Sequence, residues 1–259
     1  MSKSSIPDPK IDQLFAMRHS LAHIMATAIQ ELYPKAKFGV GPVVENGFYY
    51  DVDLPKTLTS EDLARIEDKM REVIKANYPF EQSSMKLEEA IKFFSVRHQD
   101  YKLDLLDDLK KHGTTSVKDI DRSQLGLGDT SKVDEVSIYT DGPFVDLCRG
   151  PHVESTGAVG AFKLMRVSGA YWRGNDKNAQ LQRIYGVGFT TDEELKNHLD
   201  LLEEAQKRDH RKLGKELDLF VFSDLVGAGL PLFTPRGTII REELNRYVQE
   251  LRQSIGGGY

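Results

Sequence analysis

The hydrophobic period of this chain switches repeatedly between the helical and the extended repeat, and that alternation limits the folds open to it. Leu14, Leu21, Met25, Ala28 and Leu32 recur at helical spacing until Pro34 stops the run, predicting a helix from about Ile11 to Leu32. The stretch KFGVGPVVENGFYYDVDL is β-rich, and Asn46-Gly47 reads as a type I′ hairpin turn, whose two central residues both need positive φ. Thr59, with Asp62 in the first turn, then caps a helix whose stripe is Leu63, Ile66, Met70, Val73 and Ile74. A strand is predicted at 80–86 and short helices at about 87–95 and 100–110, with a Gly-, Ser-, Thr- and Asp-rich loop at 112–132. The segments VSIYTDGPFVDLC, AFKLMRV and AQLQRIYGVGF are again β-rich. Thr191 and Glu194 make a capping box ahead of a long helix to about Lys212, with Leu195, Leu199, Leu202 and Ala205 on one face. A strand-like LDLFVF and a helix from about Thr238 to Ser254 follow. The expected class is α+β, with an antiparallel sheet and a long helix to about residue 190, then a linking helix and a fragment of something else. Residues 216–259 hold too little apolar surface to fold well alone, and the final Gly-Gly-Gly-Tyr reads as leading into a further strand, so a truncated chain is expected.

Composition excludes some partners. No run approaches eighteen apolar residues, and MSKSSIPDPK has no apolar h-region, so neither a membrane span nor a secretory signal is expected. A single cysteine, Cys148, forbids an intrachain disulfide, and a cytoplasmic location is the default. A net charge of −5 argues against an overall basic surface, so any nucleic-acid binding must come from local patches. The segment KRDHRKLGK is one, with Lys207, Arg208, Arg211, Lys212 and Lys215. It reads either as a solvated helix end or as a backbone-contacting patch.

Two short patterns carry chemistry. His19 and His23 lie four apart, so both rings leave one face of the first helix, beside Phe15, Ala22 and Ala26. Small alanine neighbours suit a cleft. The pair lacks the Glu of zinc proteases, because Ser20 follows the first His. In Asp146-Leu147-Cys148-Arg149-Gly150-Pro151-His152, Gly150 and Pro151 disfavour a helix interior, so a tight turn is expected to bring Cys148 and His152 together. Three imidazoles and a thiol match the inventory of a tetrahedral zinc site (His19, His23, Cys148, His152), against the alternative of one buried Cys beside a structural His.

The segments RHSLAH, GPVVENGFYYD, DLCRGPH, FKLMRVSGAYWRG and LQRIYG resemble, in order and separation, the editing domain of bacterial-type threonyl-tRNA synthetases. The stretch AQKRDHRKLGKELDLF is similar to that family's linker and the start of its class II catalytic domain, and the helix at 238–254 resembles the first class II motif. The resemblance implies an editing domain over 1–190, a linker helix over 191–213 and the beginning of a class II catalytic domain over 214–259. Two expected departures are the absent ubiquitin-like N-terminal domain and the absent second and third class II motifs. Aminoacylation by this chain is therefore not expected.

For function, the resemblance implies hydrolysis of mischarged Ser-tRNA(Thr). One methyl distinguishes threonine from serine, and a pocket relying on it gains only about 1–3 kcal/mol. A second, smaller site supplies the rest. The expected catalytic set is His19, His23, Lys102, Asp146, Cys148 and His152. His19 and His23 would hold or deprotonate water, Lys102 would polarise water or carbonyl, and Asp146 would hold the substrate ammonium. Cys148 and His152 would line the pocket, and Tyr50 would pack against the adenosine. Residues of bland alternative are Lys102, as a surface charge, and Tyr50, as a half-buried strand residue. Lys207, Arg208, Arg211, Lys212 and Lys215 would touch tRNA. Editing is expected to need no cofactor, with zinc as the alternative. The intact enzyme would use ATP, magnesium and a catalytic-core zinc, and would be a homodimer. Rival readings are a zinc-dependent free-standing deacylase of the alanyl type and a non-catalytic tRNA-binding module.

Overall fold

The structure, a computed structural model, describes residues 9–112, 133–227 and 229–256. Two compact units divide the chain, Met1–Leu195 and Lys196–Tyr259. The first mixes helices with antiparallel sheet, the α+β class read from the sequence.

Helix α1 (Pro9–Leu32) packs on a five-stranded antiparallel sheet and against α2 (Ser60–Ala76). The sheet runs β1 (Lys37–Phe38), β3 (Gly47–Asp53), β8 (Gln180–Phe189), β7 (Ala161–Tyr171), with β2 (Val43–Val44) also paired to β3. The apolar stripe expected on α1 is there, but the other faces are covered too. His19, Ser20, His23 and Thr27 are as buried as Leu21 and Met25. Of these, His19, Ser20 and Thr27 are hydrogen-bonded, whereas His23 Nδ1 makes no hydrogen bond among the described residues and faces the Asp141 carboxylate at 3.6 Å.

Thr59 caps α2 as expected: its hydroxyl accepts the Asp62 amide while the Asp62 carboxylate accepts the Thr59 amide. The hairpin differs from expectation. Val44 pairs with Gly47, so the turn residues are Glu45 and Asn46, and of the Asn46-Gly47 pair Asn46 alone has positive φ. Gly47 serves another purpose: a Cβ there would come within 2.1 Å of the Gly186 carbonyl oxygen on β8.

A smaller sheet, β4 (Phe80–Lys86), β5 (Glu135–Asp141) and β6 (Phe144–Leu147), is antiparallel throughout. With α3 (Leu87–Val96) and α4 (Asp100–His112) it builds a second apolar cluster around Phe94, Leu105, Leu106 and Ile138. Apart from His112, the loop expected at 112–132 lies outside the described residues, as does the Gly-Gly-Tyr end.

The single helix expected to about Lys212 is two. Helix α5 (Asp192–Lys207) begins on the Thr191/Glu194 box, and α6 (His210–Glu216) starts anew where the Asp209 side chain accepts the Arg211 amide at 2.8 Å. An aspartate that captures a backbone amide ends one helix and caps the next. The remainder of the second unit is a two-stranded pairing of β9 (Phe220–Val221) and β10 (Leu232–Phe233), then α7 (Pro235–Ser254), capped by Thr234. Helix α5 buries no residue and α7 buries only Gly237.

Candidate active site

The fold brings six of the sequence-nominated residues, and Tyr50, into one cluster. Helix α1 contributes His19 and His23, β3 contributes Tyr50 and α4 contributes Lys102. The end of β6 and the loop after it supply Asp146, Cys148 and His152. The turn after β6 forms as its residues dictate. Gly150 has φ +74, and a Cβ there would meet the Tyr139 hydroxyl at 2.6 Å. That turn folds Cys148 and His152 back over α1.

Cys148 Sγ lies 3.4 Å from His19 Nε2 and 3.3 Å from His152 Nε2, and accepts the Gly150 amide at 3.2 Å. His19 Nδ1 is 3.2 Å from the Pro151 carbonyl. His152 is stacked between Phe80 and His19, with centroids 4.7 and 4.2 Å away. One donor atom each from His19, His23, Cys148 and His152 falls within a 4.8 Å span.

The second part of the cluster is a buried ion network. Asp146 is 3% exposed; one oxygen pairs with the Lys102 ammonium and the other accepts the Tyr50 hydroxyl. Lys102 Nζ also reaches the Tyr50 hydroxyl at 3.2 Å. Lys102 is therefore not a surface charge, and Tyr50, 0% exposed, is not half-buried. Both Asp146 oxygens are engaged by the protein itself, so a substrate ammonium reaches this carboxylate only by sharing with or displacing Lys102.

His23 sits between two carboxylates, with Nδ1 3.6 Å from Asp141 and Nε2 3.7 Å from Asp146. Burial alone would lower its pKa, but the Cys148 thiolate, Asp141 and Asp146 together raise it to about 10. Burial pushes the Cys148 thiol up, and the neighbouring His19 and His23 more than offset this, bringing it to about 6. For His152, burial and the neighbouring His23 and His19 act in the same direction and hold it well below the ordinary range. Asp146 is kept below the usual carboxylate range against its burial by Lys102 and His23. Together these shifts favour the charged form of His23, the thiolate of Cys148 and the neutral ring of His152.

The open space beside these groups is small. His19, His23, Gly41, Lys102, Asp146 and Cys148 line a cavity of about 30 Å³, room for little more than a water. Gly41 shapes its wall, since a Cβ there would strike the Tyr50 ring at 2.4 Å. The HxxxH pair was expected to face a cleft, and both rings line this small pocket. A second cavity of about 210 Å³ shares Lys102 as a wall and is otherwise lined by Phe38, Phe94, Arg97 and Phe144, among others.

Two contributors escaped the sequence reading. Asp141 is wholly buried on β5 and accepts the Thr27 hydroxyl at 2.5 Å. Ser20, noted there only for not being Glu, contacts His152. Alternation along β5 places Asp141 on the same side as Tyr139, which also touches His152, and that was the available signal.

The basic segment is elsewhere in chemistry as well as in sequence. Lys207 pairs with Glu203 and Glu204, Arg208 with Glu204, Arg211 with Asp209, and Lys212 reaches Glu216 at 4.0 Å. These side chains and Lys215 are exposed. No helix among the described residues is long and apolar enough to cross a membrane.

Comparison with known proteins bears out the family resemblance. Residues 136–185 match the second additional domain of threonyl and alanyl tRNA synthetases. A threonine–tRNA ligase of Acetivibrio thermocellus is 47% identical over 242 residues, 93% of this chain and 34% of that protein. One from a Geobacillus species is 46% identical over 98% of this chain and 36% of its own length. Threonine–tRNA ligase 1 of Bacillus subtilis is 48% identical over 93% of this chain and 34% of its own. The chain spans about a third of the length of the curated relatives it matches.

Proposed function

We propose that this chain, a threonyl-tRNA synthetase portion by its match along nearly all of its length, hydrolyses the ester of serine on tRNA(Thr). The observation that carries the reading is the convergence of His19, His23, Lys102, Asp146 and Cys148 on one small pocket, with His152 against Cys148. Over 1–190 the chain would act as the editing domain, with 191–213 as linker and 214–259 as the start of a class II catalytic domain. The intact ligase would attach threonine with ATP, magnesium and a catalytic-core zinc, and would work as a cytoplasmic homodimer.

The roles follow from protonation. Ester hydrolysis needs a base for water and a charge partner for the developing oxyanion. His19 lines the pocket and would hold the water; His152, expected to line it too, stands behind Cys148 instead and, kept neutral, is the imidazole able to accept a proton from that side. His23, held as a cation between Asp141 and Asp146, suits the oxyanion or the leaving ribose oxygen rather than deprotonation. Lys102 adds positive charge on the opposite wall. Asp146 receives the seryl ammonium as Lys102 yields part of its contact. Tyr50, wholly buried, supports Asp146 through its hydroxyl and does not reach an adenosine. Lys207, Arg208, Arg211, Lys212 and Lys215 would track the tRNA backbone.

A second reading is favoured by one observation, the convergence of four soft donors within 4.8 Å. That set fits zinc in number and type. Three of His19, His23, Cys148 and His152 would hold a catalytic zinc ion and leave one position for water, where the ion would supply Lewis acidity and a more acidic water; all four together would close the site into a structural one. The test is direct. Ser-tRNA(Thr) and Thr-tRNA(Thr) are incubated with the chain, with and without a chelator. Release of serine but not threonine, indifferent to chelation, supports metal-free editing; loss on chelation moves the zinc reading to first place. Binding without release of either amino acid would leave a tRNA-binding module.

A further inference from the structure

We infer that Ser20 is a positioning residue that fixes the hydrogen of His152 on Nδ1 and so presents a bare Nε2 to the site. Ser20 is wholly buried on α1, one residue after His19. Its hydroxyl lies 2.8 Å from the Ala16 carbonyl, 3.0 Å from the Val153 amide and 3.1 Å from His152 Nδ1. A serine hydroxyl owns one proton and two lone pairs. The Ala16 carbonyl can only accept and is the nearer of the two groups that could take the proton, 2.8 Å against 3.1 Å for His152 Nδ1, so the proton is assigned to it. An amide can only donate, so Val153 fills one lone pair. What remains for His152 is a single lone pair, and the ring must bring the hydrogen.

The consequence falls on the far side of the ring. A neutral imidazole with its hydrogen on Nδ1 has an unprotonated Nε2, and that atom points at Cys148 Sγ, 3.3 Å away. Phe80 and His19 sandwich the ring and oppose its rotation. His19 is set in the same sense by a different partner, since its Nδ1 can only donate to the Pro151 carbonyl. Two adjacent helix residues, one through its ring and one through its hydroxyl, therefore hold one loop, with the Nε2 atoms of His19 and His152 turned to one sulfur. Ser20 does this without touching the pocket: its hydroxyl is saturated by the protein. It acts through His152.

The kinetic part of the test rests on the deacylation proposed above; the spectroscopic part does not. Chain labelled with ¹⁵N-histidine is stripped of metal by a chelator, and His152 is assigned by comparison with His152→Gln. In the unsubstituted chain the His152 signals should be those of a protonated Nδ1 and a bare Nε2; the reverse pattern overturns the inference outright. In Ser20→Ala the pattern should shift toward a mixture of tautomers. A merely structural Ser20 would lower the melting temperature and leave the His152 tautomer of the folded molecules untouched, and that result also overturns it. If Ser20→Ala does not fold, the pattern in the unsubstituted chain alone decides. In single-turnover deacylation, Ser20→Ala should lose at least about tenfold in rate at saturation with half-saturation little changed, within the up to about 10⁴-fold that a wrong histidine tautomer costs a serine protease. An unsubstituted chain that shows the Nδ1–H pattern but releases no serine would refute the editing reading and leave this inference standing.

Discussion

The loop after β6 and the segment 207–215 both gather ionisable side chains, yet the first takes them out of water and the second leaves them in it. Around Cys148, burial makes each charge depend on its neighbours, and the pKa of His23 is pushed to about 10 while that of Cys148 falls to about 6. Around Arg211, Lys207, Arg208 and Arg211 each pair with a carboxylate close by in sequence and stay exposed. Charge density alone thus says little about chemistry. Desolvation turns a cluster into a reactive site, and a solvated cluster acts mainly through its long-range field.

If that contrast holds, the largest effect belongs to the imidazoles of the cluster. His152→Ala and His23→Ala should each lower single-turnover deacylation of Ser-tRNA(Thr) by about 10²–10⁴-fold, with circular dichroism showing the fold retained. Rates within about threefold of the unsubstituted chain would return the cluster to a structural role.

Next in size is the buried ion pair. Lys102→Ala leaves Asp146 charged, buried and short of its main partner, and should cost about 3–5 kcal/mol in urea unfolding. The depressed Asp146 pKa adds a sign: its stabilising share is present above the ordinary carboxylate pKa and is lost as pH falls through the folded value. Asp146→Asn should flatten that acid limb of the stability profile. A limb of unchanged slope would show that Asp146 is not ionised in the native state.

A subtler measurement follows the thiolate. Cys148 is the only cysteine, so the ultraviolet absorbance of its thiolate reports one group. In metal-free protein its midpoint should lie near pH 6, below the about 8.5 of a free thiol. His23→Gln should raise it, and a midpoint indifferent to that change would break the link between them.

The smallest effect should come from the exposed region. Lys207→Ala with Arg211→Ala should leave thermal stability and saturated deacylation unaltered. If the two touch phosphates, the slope of log binding constant against log salt should flatten by about 1–2. No change in slope would reduce this segment to a solvated helix end.

Most of the elements of the first unit could be read from the sequence, because period and caps are local signals. The α1 stripe, the Thr59–Asp62 box and the short helices near Phe94 and Leu105 formed where expected. The errors came from signals that serve two masters. Asn46-Gly47 carries a hairpin signature, yet Gly47 is glycine because β8 passes too close for a side chain. Asp209 sits in a helical run and caps the next helix instead. At the candidate site, HxxxH and DLCRGPH marked the reacting groups, since those residue types have few other reasons to recur at such spacing. Ser20 and Asp141 carried no comparable mark; a buried hydroxyl or carboxylate acquires its role only from what packs against it.

The sequence by itself determined which segments are helix or strand, which turn folds back at Gly150-Pro151, and which titratable residues stand ready. Those properties depend on backbone sterics and on neighbours within a few positions. Tertiary structure alone decided that Lys102, forty-four positions before Asp146, is buried against it rather than solvated, that Tyr50 supports that pair, and that His23 lies between two carboxylates. Protonation states, and with them the division between base, acid and anchor, arise from distances between residues far apart in the chain and from the exclusion of water. No local pattern encodes either.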